Sequence, residues 1–351
     1  MSPWIFLRFL FLPALVIAAS LPGGWWNFSV PVICFVIHPL AGLLSKQKTS
    51  LHNEEVPHQQ NSKAYRLVPL LFVPVLIAVT IWSVIKCRDC SAIEFAGLAL
   101  SIGLVNGILG FTLAHEFIHR RSWIEKTAGQ LLLIQNNYPY YGIEHVGGHH
   151  LYACTPKDPH TARIGESFYQ FLPRAIRLTF LNAWEIESQR LFRKKHQAVS
   201  MHNRFLLFAL LQLFVYAIIF VWGGWTAFLF FILQGVVSIL LLNSTGYLQH
   251  YGLLRKEISA GHFEKIAAQH AWTAQQGNDG LNLFQVGKHA DHHIHPSHTY
   301  EQLVHHDESP EQPTGYSGMI WLALVPPLWF KIMNKRILLF TNKTVTHETN
   351  Y

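Results

Sequence analysis

Charge is what this sequence lacks most. Of its 351 residues only 13% are Asp, Glu, Lys or Arg, while 50% are hydrophobic and the mean hydropathy is +0.20. A soluble domain of this size carries about 25% charged residues, so much of the surface is expected to face lipid. Cysteine is also scarce: four residues are too few for a disulfide scaffold or an iron–sulfur ferredoxin. No Gly-rich dinucleotide fingerprint occurs. The basic residues sit mostly beside apolar runs, and nothing reads as a nucleic-acid module. A net charge of +7 suits an anionic leaflet or an acidic protein partner.

What is abundant is long apolar sequence. A bilayer core takes roughly 20 mostly apolar residues per helix, and six stretches approach that length: about 4–21, 25–45, 66–86, 92–114, 205–222 and 224–243. The first is read as a retained anchor, because no small-residue cleavage site precedes a soluble domain: Trp25 opens another apolar run almost at once. The runs at 129–136 and 318–330 are too short to cross, and Pro326-Pro327 breaks the second. The six spans pair into hairpins through Leu21-Pro22-Gly23-Gly24, the 87–91 loop and Gly223-Gly224. The long polar segments 46–65, 115–204 and 245–351 then emerge on one face with nearly all the Lys and Arg, including Arg193-Lys194-Lys195. The positive-inside rule makes that face cytoplasmic. The expected fold is therefore all-α: six transmembrane helices in three hairpins, beneath a cytoplasmic helical cap carrying a histidine-rich site. The divisions are 1–114, 115–204, 205–244, 245–335 and a weakly ordered polar tail, 336–351.

Histidine is the second excess, with 22 residues against 20 Asp and Glu combined. His115-Glu116-Phe117-Ile118-His119 follows the fourth span, so a continuing helix points both imidazoles from one face. Glu144-His145-Val146-Gly147-Gly148-His149-His150 repeats the i, i+4 spacing at His145 and His149, with His150 on the neighbouring face. His250 follows the last span, and Lys288-His289-Ala290-Asp291-His292-His293 gathers three more. A single pair spaced by four is commonly a surface feature. Several clusters on one membrane face point to shared metal binding.

Eight or nine imidazoles exceed what one zinc takes and suit two metal ions. Imidazole binds Zn, Cu, Fe and Ni alike. A lipid setting favours iron, because unactivated C–H bonds need oxidants derived from O2 and such substrates partition into bilayers. His115–His119 also reads as the H-E-x-x-H of zinc proteases, with Glu116 as base, but that leaves the later clusters unexplained. A histidine-rich transporter would need ligands along the spans. In the oxygenase reading Glu116, Glu144 and Asp291 are expected to orient imidazoles from outside the metal shell.

At these motifs the sequence resembles the membrane alkane monooxygenases, within the membrane desaturase and hydroxylase superfamily. The likeness runs from about residue 66 to 335 through His115–Arg120, Glu144–His150, Thr155-Pro156-Lys157-Asp158-Pro159, Arg163–Ser167, Leu248–Gly252 and Lys288–Pro296. Pro313–Met319 and Pro326–Trp329 extend it. The resemblance implies that His115, His119, His145, His149, His150, His250, His289, His292 and His293 bind two iron ions. It implies a hydrophobic substrate hydroxylated at a terminal methyl with O2, a channel opening from the bilayer, and electrons from NAD(P)H through a reductase and a rubredoxin or ferredoxin-like protein. An acyl-lipid desaturase would share the metal centre. Gln249 stands where these hydroxylases usually carry Glu beside a ligand, as in xylene-monooxygenase-like relatives, which opens the substrate range to alkyl-aromatics, terpenoids and functionalised chains. Trp82, Phe111, Trp225 and Phe231 are candidates for shaping the channel. Cys87 and Cys90, on the opposite face, form a disulfide or stay reduced.

Overall fold

The computed structural model describes residues 2–44, 63–274 and 283–348, so the polar segment at 46–65 falls almost wholly outside them. In chain order the main helices are α1 (Pro3–Ser20), α2 (Gly24–Ala41), α3 (Lys63–Asp89) and α4 (Ala92–Ile118). They continue as α5 (Trp123–Gln135), α6 (141–152), α7 (Phe168–Arg193) and α8 (Arg204–His250), then α9 (His289–Ile294), α10 (Tyr316–Ala323) and α11 (Pro326–Glu348). Five of them, α1 to α4 and α8, are long and apolar enough to cross a membrane.

At 47 residues α8 is far longer than one crossing requires. It reaches that length by folding back at Gly224 (φ +66°, ψ −163°), a conformation that favours glycine. The Tyr216 ring lies 6.1 Å from that of Phe231, whereas a straight helix would separate them by about 22 Å. The two halves match the apolar runs at 205–222 and 224–243. Both α4 and α8 continue past their apolar runs, to Ile118 and His250, and these extensions carry histidines into the cap.

Local chemistry explains the helix starts. Ser91 and Glu94 form a capping box at the head of α4, and Ser167 and Gln170 do the same for α7. Glu94 also accepts from the Gly24 N–H at 2.8 Å, which docks the α1–α2 turn on α4. Pro69 and Pro74 lie inside α3, which neighbouring helices permit in a spanning segment. Cys87 and Cys90 are free thiols that donate to the carbonyls of Val84 and Lys86. Helices α10 and α11 meet at 119° across the break before Pro326, as the two prolines require. α11 then continues without interruption through most of the expected tail, 336–351, to Glu348.

The cap departs from the helical expectation. Between α8 and α9 the chain forms a short antiparallel hairpin, Glu257–Ser259 with His262–Phe263, turned at Gly261 (φ +75°), and its other described residues run as loops and 3-10 turns. Its core is aromatic: Phe171, Tyr247, Tyr251, Trp272 and Trp329 are buried together with Met319 and Met333.

Between the spans lies a buried amide network. Asn106 Nδ2 donates to Thr80 Oγ1 (3.0 Å) and Gln234 Oε1 (2.9 Å), and Gln135 Nε2 donates to Asn106 Oδ1 (2.8 Å). One carboxamide thus ties α3, α4, α5 and α8 together. Interhelical hydrogen bonds of this kind contribute about 0.6 kcal/mol each in membranes, up to about 1.7. Asn106→Leu should therefore destabilise the fold by about 2 kcal/mol, read as a melting point several degrees lower in detergent. An unchanged melting point would show that the network contributes nothing.

Candidate metal centre

The nine histidines singled out above come together as two groups. His115, His119, His145, His150 and His292 form one, and His149, His250, His289 and His293 the other; within each, one nitrogen per ring lies within 4.8 Å of every other. The groups adjoin, with the His150 and His293 rings 4.8 Å apart.

How the chain divides its histidines differs from their linear spacing. His145 and His149, four apart, were expected to act together, but they lie in different groups. The cause is a π turn at His145–His149 inside α6. It aligns His145 with His150, five residues on, and brings their Nε2 atoms to 3.0 Å, while His149 turns to the other group. Glycine makes the turn fit against α7. A Cβ on Gly147 would lie 2.9 Å from Ile186 Cγ2, and one on Gly148 would lie 2.7 Å from Glu144 Oε1. α9 is divided similarly: His289 and His293 share a group, and His292, on another face of the helix, joins the five. His115 and His119 stay together at the end of α4, as their spacing on a continuing helix requires.

Imidazole nitrogens face one another at hydrogen-bond distance. His292 Nε2 lies 3.0 Å from His150 Nε2, and His250 Nε2 lies 3.0 Å from His289 Nε2 and 3.2 Å from His293 Nε2. Burial first, then the neighbouring imidazoles, hold His145, His150, His289, His292 and His293 far below the ordinary histidine pKa. These rings are neutral lone-pair donors at physiological pH. A metal–imidazole bond of about 2.1 Å places adjacent ligand nitrogens about 3 Å apart, and the donor set fits a cation in each group.

A cavity reaches this centre from the spans. On α4 it is lined by His115, Thr112, Phe111 and Ile108, and on α8 by His250, Gly246 and Leu242, each run stepping down one helix face. Ile320, Ser317 and Tyr316 of α10 and Cys34 and Phe35 of α2 complete the wall. Phe111 alone of the four proposed channel aromatics lines it. Trp225 is exposed, Phe231 packs on Tyr216, and the Trp82 indole donates to Ser20.

Comparison with known proteins agrees with this geometry. Residues 92–323 match the fatty acid desaturase family model. Alkane 1-monooxygenase 1 of Pseudomonas aeruginosa is 37% identical over 320 residues, 90% of this chain and 84% of the relative. Alkane 1-monooxygenase 2 of Alcanivorax borkumensis is 35% identical over 317 residues, 89% and 83% of the two chains. The chain belongs to the alkane 1-monooxygenase family. It is an oxidoreductase and an integral membrane protein. The xylene/toluene monooxygenase hydroxylase component of Pseudomonas putida is also similar, 30% identical over 244 residues, covering 69% of this chain and 64% of the relative.

The surroundings of the imidazoles in this alkane-monooxygenase relative differ from those expected. Glu116 takes Arg120 and the Tyr300 N–H instead of an imidazole. Asp291 accepts from His298 Nδ1 (3.1 Å) and His306 Nε2 (2.7 Å), neither of them in the two groups. Glu144 lies 3.7 Å from His160, and burial, then Asp158, raise its pKa well above the carboxylate range. Gln249 donates to the Tyr316 hydroxyl (2.8 Å) on the cavity wall. The imidazole partners are residues that sequence reasoning missed. Tyr141 Oη lies 3.0 Å from His145 Nδ1, Asp158 holds His149 Nδ1 at 3.1 Å with both oxygens, and Cys154 Sγ lies 3.4 Å from His250 Nδ1. Burial opposes a charge on Asp158, but His149, with His160 and His250 behind it, holds the carboxyl below its usual range. The one signal for Asp158 was its place between Pro156 and Pro159 in a stretch that resembles the family.

Proposed function

We propose that this protein is a membrane non-haem di-iron monooxygenase that hydroxylates the terminal methyl of an alkane or alkyl-substituted hydrocarbon with O2. The observation that carries this is an apolar cavity between helices ending on two adjoining groups of imidazoles. The nine histidines, His115, His119, His145, His149, His150, His250, His289, His292 and His293, would hold the two ions. Iron bound there supplies the O2 activation that attack on an unactivated C–H bond demands.

The chain contributes position and exclusion of water. Phe111, Ile108, Leu242 and Ile320 line an apolar sleeve in which a hydrocarbon chain lies with one end toward His115 and His250. Tyr141 and Asp158 take the outer nitrogens of His145 and His149 and so aim Nε2 inward. Six spans, counting α8 as two and adding α1 to α4, put the segments 115–204 and 245–335 on one side, and the Arg193-Lys194-Lys195 run favours the cytoplasmic side of a bacterial inner membrane. Electrons then come from a rubredoxin or ferredoxin-like donor and an NAD(P)H reductase. The sequence contains neither a dinucleotide fingerprint nor a cysteine cluster, in keeping with an external supply.

Other readings fit less well. A zinc protease needs Glu116 as a free base, yet Arg120 and the Tyr300 N–H occupy it. A transporter needs ligands spread along a path, whereas these converge in two groups. A desaturase shares the whole centre, and labelled oxygen separates it from a hydroxylase. Cells expressing the chain with a matched electron-transfer pair, given alkanes, alkylbenzenes and fatty acids under 18O2, should yield a terminal alcohol carrying the label. An alkene with no label in the organic product would make the enzyme a desaturase.

A further inference from the structure

Cys154 is buried at the end of the α6 segment with a positive φ of 60°, a conformation disfavoured for any residue with a Cβ. Its backbone is held on both sides. The N–H donates to Thr161 Oγ1 (2.8 Å), and the carbonyl accepts from the Arg255 N–H (2.8 Å). Thr161 Oγ1 in turn donates to Asp158 Oδ2 (2.6 Å), the carboxylate that holds His149. The Cys154 thiol has a single proton, and it goes to the carbonyl of His270 at 2.7 Å. The sulfur therefore presents a lone pair to His250 Nδ1, 3.4 Å away, beside the His270 carbonyl, which also accepts from this imidazole. This places the His250 proton on Nδ1 and leaves Nε2 bare, the atom that meets His289 and His293. Cys154 itself belongs to neither histidine group.

We propose that Cys154 is a positioning residue for the four-histidine group: its sulfur accepts the Nδ1 proton of His250, and its backbone link through Thr161 to Asp158 ties His250 and His149 into one hydrogen-bonded knot. The proposal rests on reading the two groups as metal positions. It makes those positions chemically unequal. The loop 154–161 gives the four-histidine position a thiol and a carboxylate as outer partners, whereas the five-histidine position receives the neutral Tyr141 phenol at His145. Outer partners of this kind are worth about 10–100-fold in metal affinity.

The test uses the full-length protein in detergent, reconstituted anaerobically with ferrous iron-57, with bound iron and Mössbauer spectra measured for the unaltered chain, Cys154→Ala and Cys154→Ser. The unaltered chain should bind two irons and show two ferrous signals of equal area; fewer than two irons would overturn the metal-site reading itself, and with it this proposal. In Cys154→Ala one signal should shift and its iron should bind about 10-fold or more weakly, while the other stays in place. Cys154→Ser keeps both hydrogen-bonding roles, so it should retain affinity within about 3-fold and still shift the same signal. It carries the test if the alanine variant does not fold. Two bound irons with spectra unchanged in the folded variants, or both signals altered alike, would overturn the role of Cys154 and leave the metal-site reading standing.

Discussion

His289→Ala should abolish hydroxylation, lowering turnover by more than about 100-fold, the upper end of what loss of a mere outer partner costs a metal site. It should also lower bound iron from two per chain to about one. His289 is one of only four imidazoles in its group, all buried, and its removal leaves three, of which His149 and His250 line the cavity. His292→Ala and His150→Ala should abolish activity as well but retain more iron, because four imidazoles remain in the other group. Membrane insertion should persist in all three, since α9 and the π turn of α6 lie outside the spans. Iron analysis of purified variants beside a labelled-alkane assay reads both quantities. Full activity in any of them would remove that histidine from the ligand set.

Ile108→Trp should leave the iron in place and shorten the longest chain that the enzyme accepts. Ile108 lies seven residues before His115 on the cavity side of α4, about 10 Å along the helix axis. An indole there fills the far end of the sleeve. With a homologous alkane series, kcat/KM for long chains should fall by about 100-fold, a difference of about 3 kcal/mol and the upper end for steric discrimination in an apolar pocket. Short chains should be turned over nearly as before. Equal losses at every length would mean that the substrate does not lie along α4 and α8.

The histidine set was legible because each cluster carries its own helical spacing and because the count of apolar runs places every cluster on one face. The grouping was not legible. An α-helical reading pairs His145 with His149, and only the π turn, where Gly147 and Gly148 pack on Ile186 and Glu144, places them in different groups. The spans were found by length and apolarity, which is how a bilayer selects helices, and Gly224 marked the fold-back of α8. The cavity walls could have been read by stepping back three and four residues from His115 and His250, to Thr112, Ile108, Gly246 and Leu242. Aromatic content was the wrong guide, since Trp82 and Trp225 lie away from the sleeve. Glu116, Glu144 and Asp291 were chosen for proximity in sequence, yet the residues that touch the imidazoles come from other positions. Asp158 lies nine residues beyond His149, and Cys154 lies 96 before His250, a separation that only the folded loop closes.

The central claim is that two adjoining sets of imidazoles hold a pair of iron ions. Metal analysis of protein purified under conditions that protect its cofactors tests this most directly. The account predicts about two irons per chain, one for each group. One zinc per chain and no iron would contradict it.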